Sequence, residues 1–301
     1  MIPETMSPIA YIEFVFQLVA SCAANALFVL LACRIFTNRS HMSTNLMINV
    51  IFWSIGTIVA AIFAVYMMGI GNDKNTFSTS IILWTGTLLY ALSTAVSITV
   101  AGLLFERIYL VSFPICLKTQ RIQFAYLTTF VAILSIFYVT SAVILLKGPI
   151  PERTECPTFS CVLTSSLAIA ITTPKMICGL LNALLSEVLR RKLYQRHQRN
   201  VRWLKNLRQG TKIAQMAAIN ELVLNCLPTV LFLIFSVFKL QHWHLLGSFC
   251  PTAFATDSLF TSLIYYHVIM KKKQSTHGRR STNNAGIATI EKKWVVYGQA
   301  L

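Results

Sequence analysis

The sequence predicts an all-α membrane protein, a seven-transmembrane helix bundle. Three observations carry that prediction. Hydrophobic residues make up 55% of the chain's 301 residues and charged residues only 12%, where a soluble domain has about 25% charged. Mean hydropathy is +0.62. Seven apolar segments recur, at roughly 9–33, 45–70, 80–105, 124–146, 162–186, 213–238 and 248–270. Each is long enough for an α-helix to cross the hydrocarbon core, which takes ~20 residues.

The net charge of +16 would point to nucleic acid on a soluble chain. Here the basic residues sit between apolar segments, as the positive-inside rule describes, so no nucleic-acid partner is expected. The loops 34–44, 106–123, 187–212 and 271–301 hold 21 of the 26 Lys and Arg. The opposite side holds Lys74, Lys147, Arg153 and Lys239, and Lys175 lies inside a span. That split puts the N-terminus outside and the C-terminus in the cytoplasm. Residues 1–270 are read as the transmembrane domain and 271–301 as a cytoplasmic, disordered tail. The first ten residues carry no Lys or Arg, so the first segment reads as a retained helix rather than a cleaved signal.

Taken in order, the first segment carries Asn25, and the second begins at Thr44-Asn45 and includes Asn49 and Ser54. In the third, Thr87, Tyr90, Thr94 and Ser97 recur at helical spacing and share one face. Hydroxyls on a membrane helix are expected to turn toward other helices and bond to them. This segment ends in Glu106-Arg107, an acid–arginine pair at a membrane edge. The fourth segment is uniformly apolar. After it, KGPIPERTECPTFSC offers Cys156 and Cys161 for a local disulfide, with Cys250 an alternative partner. None of the eight cysteines forms a CxxC pair, so no metal site or cofactor is expected.

The fifth segment holds Thr172-Thr173-Pro174-Lys175. Proline inside a helix removes a backbone bond and invites a kink. A lysine near the bilayer centre costs roughly 2.5–3.5 kcal/mol to insert, so Lys175 should face the bundle and find a partner. Glu221 in the sixth segment and Asp257 in the seventh are the candidates, with Lys175–Glu221 the expected ion pair. Such a pair serves either as a ligand or switch contact or as a purely internal bond. The sixth segment also holds Cys226-Leu227-Pro228, and the seventh runs on through Thr261 to Tyr266. The basic stretch 187–212 suits a protein partner or the anionic inner leaflet equally.

Seven spans with the N-terminus outside and Glu106-Arg107-Ile108-Tyr109 closing the third resemble a G-protein-coupled receptor. Asn25 and Arg34, Thr44-Asn45, Cys226-Leu227-Pro228, and Thr261 to Tyr265 are similar to that superfamily's helix motifs in the same order. Departures exist: Ser54 stands about where many such receptors carry a sodium-binding Asp, and the seventh helix lacks the motif's proline. No Cys stands near the outer end of the third helix to bridge it to the following loop, which leaves that end less tethered. With Phe113-Pro114 after the Glu-Arg motif, the chain is most similar to the nematode serpentine chemoreceptors of class BC.

The resemblance implies a plasma-membrane receptor of sensory neurons and their cilia. It implies detection of a small molecule from outside and signalling through a heterotrimeric G protein. Glu106, Arg107, Tyr109 and Tyr265 would then serve coupling and switching, with Arg107 paired to Glu106 at rest. Trp84, Thr87, Tyr90, Thr94, Lys175 and Asp257 would line the ligand pocket. The alternative is a small-solute transporter or ion channel using Lys175, Glu221 and Asp257. No Ser/His pair, HExxH or carboxylate dyad falls in the spans, so an enzyme is not expected.

Overall fold

The computed structural model describes residues 8–37, 43–70, 77–113, 118–148, 152–154, 159–197, 201–237 and 246–283. Its helices are α1 (Pro8–Thr37), α2 (Thr44–Val65), α3 (Thr79–Ser112), α4 (Lys118–Leu146), α5 (Ser165–His197), α6 (Val201–Glu221), α7 (Leu227–Val237) and α8 (Leu246–Asn283). A π-helical turn, Leu222–Cys226, joins α6 to α7, and the three form one rod. The described residues thus make seven rods, and six spans are long and apolar enough to cross a membrane. The last rod, α8, is more polar because Asp257, Ser258, Thr261 and Ser262 are buried in it.

The helices outrun the apolar segments. The third continues to Ser112, so Glu106 and Arg107 lie within it, and the fifth continues through the basic stretch to His197. Where a disordered tail is expected from 271, α8 stays helical to Asn283. No proline lies in that extension to break it, and residues from 284 lie outside the described part. The α5 helix is continuous across Pro174.

The axis of the bundle is α3. Buried residues make up 72% of its span, against 22% for α4. On α4, Tyr126, Phe130 and Phe137 point outward, which suits a helix that faces lipid along most of its length. One apolar core lies around Phe28, Trp53, Leu103 and Phe254, and a second around Phe14, Phe63, Tyr90 and Phe159. Trp53 stacks between Phe28 and Phe254 at centroid distances of 5.9 and 5.2 Å.

The start of α3 is held without a cysteine of its own. Strand β1 (Phe77–Ser78) pairs antiparallel with β2 (Arg153–Thr154) from the loop after α4. The Thr79 amide donates to the Glu152 carbonyl at 3.2 Å, and the Ser78 amide to Tyr66 Oη at 3.0 Å. The following single turn, Phe159–Val162, sinks Phe159 into the bundle at 2% exposure. Its ring lies 5.4 Å from that of Tyr90 and directly over Gly86. A Cβ at position 86 would stand 2.3 Å from Phe159 Cδ2, so only glycine admits the ring. The expectation of a loosely tethered α3 is therefore corrected. Four backbone and side-chain anchors do the work that one covalent bridge does elsewhere.

The π turn also has a local cause. Pro228 has no N–H, and its ring crowds the carbonyl four residues back, on Leu224. The backbone widens there, and the Leu227 N–H reaches back five residues to the Leu222 carbonyl. The extra residue in the turn brings Asn225 and Cys226 inward, where both are buried.

Candidate functional site

Two buried polar centres lie along α3. The first joins α3, α5, the π turn and α8 around Lys175, which is 3% exposed. Lys175 Nζ donates to Asn225 Oδ1 at 3.2 Å and sits 5.7 Å from the centre of the Tyr90 ring. Asn225 Nδ2 in turn donates to Asp257 Oδ2, whose other oxygen accepts from Thr261 Oγ1 at 3.1 Å. Asn225 therefore relays between the ammonium and the carboxylate. Its own carbonyl is fixed by Thr229 Oγ1 at 2.7 Å.

Glu221 belongs to the same layer but through a different bridge. Asn182 Nδ2 donates to Glu221 Oε2 at 2.7 Å and to the Ser97 carbonyl on α3 at 3.0 Å. The expected Lys175–Glu221 ion pair is not formed. Among the described residues the ion pairs are Arg190 and Arg191 with Glu187 on the exposed surface of α5. Two asparagines stand between the buried charges instead. They satisfy the groups by hydrogen bonds, which buried charges require.

A small cavity adjoins Lys175, lined also by Leu89, Tyr90, Ser93, Cys250, Pro251 and Phe254. It has room for about one water molecule. Tyr90 and Lys175, both expected in a pocket, line it, and Asp257 lies one relay behind. Thr87 and Thr94 are buried, but each bonds its own helix, to the Leu83 and Tyr90 carbonyls at 2.6 and 3.0 Å. Ser97 likewise bonds the Ser93 carbonyl at 3.1 Å. The stripe's hydroxyls thus turn back four residues rather than across to neighbours, the usual alternative for Ser and Thr within a helix.

Trp84 does not join this wall. It is 42% exposed on the outer face of α3. Six residues separate it from Tyr90, which turns it about 120° away around the helix at 3.6 residues per turn. Cys156 and the side chain of Cys161, expected as a disulfide, lie outside the described residues.

The second centre lies at the other end of α3. Glu106 is 2% exposed. It accepts from Ser43 Oγ and, at 3.0 Å, from Asn45 Nδ2. Ser43 is the residue that opens α2, and it makes no side-chain cap to its own helix. The carboxylate from α3 thus supplies the negative charge that a helix N-terminus favours. One turn along α2, Asn49 donates to Thr99 Oγ1 at 2.8 Å and accepts from Tyr265 Oη at 2.9 Å. Asn45 and Asn49 therefore lace α2 to α3 and α8.

The resting pair of Glu106 with Arg107 is also corrected. Adjacent residues on a helix do not face one another, and Glu106 turns to α2. Arg107 makes no ion pair among the described residues, and its Nε is buried without a hydrogen-bond partner. Tyr109 faces α4: its hydroxyl donates to Gln120 Oε1 at 3.2 Å, and its ring lies 5.2 Å from that of Phe124.

Asn182 and Asn225 escaped the sequence reading. An uncharged amide in an apolar run stands out only as a residue type costly to bury alone, which was the available signal.

Seven membrane-length rods packed around a polar third helix, with amide-bridged charges at their centre, define a multi-pass helical receptor scaffold. The chain belongs to the family described as serpentine type 7TM GPCR chemoreceptor Srbc, whose model matches residues 6–273. Among curated proteins, none matches the chain.

Proposed function

We propose that the chain is a G-protein-coupled chemosensory receptor for a small molecule, working in the plasma membrane of sensory neurons and their cilia. The N-terminus and the β1–β2 pair face outside, and the Glu106 end faces the cytoplasm. The observation that carries this reading is the Lys175–Asn225–Asp257 relay beside a cavity among α3, α5 and α8. A ligand that engages Lys175 competes for the relay that ties α5, the π turn and α8 together. Differential affinity for the tied and untied arrangements then shifts their populations. The Asn45–Asn49 lacing, with Tyr265 at its α8 end, transmits the shift toward Arg107.

Arg107 has an unpaired, partly buried guanidinium, which suits it to receive an acceptor from a G protein. The transporter reading is less well supported. Its three charges are closed off from one another by Asn182 and Asn225 rather than spaced along a path. The test is ligand-evoked G-protein activation in cells that express the full chain, compared with Arg107→Ala. Loss of signalling with normal surface expression is expected. Signalling at full amplitude in the variant removes Arg107 from the coupling role, and ligand-gated current without G protein favours transport.

A further inference from the structure

We infer that the cavity beside Lys175 receives the oxygen of a small uncharged carbonyl compound, a ketone, aldehyde or ester. Charge comes first. Asp257 and Glu221 both act on Lys175, so one ammonium already stands against two carboxylates. An incoming carboxylate would be the third negative group in a closed, low-dielectric layer, and an incoming amine would meet the ammonium directly. Like charges brought together at such a site disfavour binding. The entering group is therefore neutral.

Hydrogen-bonding capacity then selects among neutral groups. Ser93 is 4% exposed and lines the cavity, and its Oγ has no hydrogen-bond partner in the protein. Lys175 Nζ carries three donors, of which Asn225 takes one. Two donors on facing helices thus border a space the size of one oxygen atom. A carbonyl oxygen has two lone pairs and accepts from both. An alcohol would bring its own O–H, for which the remaining lining offers little: Leu89, Pro251 and Phe254 are apolar, and Tyr90 and Cys250 bond each other. A donor left unpaired there weakens binding. The carbon skeleton replaces contacts on the apolar side of the cavity.

The experiment compares cyclohexanone, cyclohexanol, cyclohexylamine and cyclohexanecarboxylate on the full-length protein. Binding is read as ligand-dependent thermal stabilisation of purified protein, and signalling as G-protein activation in cells. Only this second readout rests on the receptor reading. Cyclohexanone is expected to bind about tenfold more tightly than the other three. Ser93→Ala should weaken it about fivefold without changing the others, and Lys175→Gln should weaken it as well. Stronger stabilisation by the carboxylate, the amine or the alcohol overturns the inference. So does a ketone response untouched by Ser93→Ala, or no stabilisation by any of the four. Ketone binding without signalling leaves the inference standing and refutes the receptor reading.

Discussion

Asn225→Leu isolates the relay at the heart of the bundle. Leucine matches asparagine in size and suits a membrane helix, so the change removes two hydrogen bonds with little change in packing. One bond comes from Lys175 Nζ at 3.2 Å and the other goes to Asp257. Hydrogen bonds to charged groups are worth about 1.5–3 kcal/mol each. Losing two from a site that excludes water, with Thr261 still holding Asp257, should cost about 3 kcal/mol. At roughly 2–4 °C per kcal/mol, the apparent melting temperature of the purified protein falls by about 6–12 °C. The double variant Asn225→Leu/Lys175→Met should cost less than the sum of the single changes, because each removes the same bond. Neighbours in one network couple by about 0.5–3 kcal/mol. A melting temperature unchanged in Asn225→Leu, or strictly additive losses, would refute the relay.

Further outcomes follow from the same contacts. Gly86→Val should cost about 1–3 kcal/mol by overpacking, with partial rescue by Phe159→Ala; no rescue would mean the ring is not what the new side chain strikes. Tyr265→Phe should lower stability by about 1 kcal/mol through the lost bond to Asn49, and the loss should shrink in an Asn49→Leu background when both are followed by thermal melting. Trp84→Ala, on the outer face, should change ligand potency by less than about twofold, a surface-type effect; a larger change in dose–response would put Trp84 back in the pocket.

The bundle was legible in the sequence because hydropathy over ~20 residues reports the bilayer rather than any contact. The burial of Lys175, Glu221 and Asp257 was legible for a related reason, since charges inside spans must face protein. Their partners were not. The reading matched charge to charge, whereas the chain satisfies each with a neutral amide. Asn225 reaches its position through a π turn, which displaces faces counted at 3.6 residues per turn. Glu106 illustrates the opposite error. Its neighbour in sequence was taken as its partner, although a one-residue step on a helix points the two side chains about 100° apart. The hydroxyl stripe was correctly placed inside, but the free carbonyls of its own helix lay nearer than any neighbour.

The joint at the start of α3 has a kinetic meaning. In its place a disulfide would open only by thiol exchange, a slow event set by redox conditions. Here the strand pair, two further amide bonds and one aromatic ring over a glycine hold the segment. Each of these yields and re-forms on the timescale of loop motion. Entry to the space beneath Phe159 is thus governed by thermal fluctuation alone, and the door resets itself once a visitor has left.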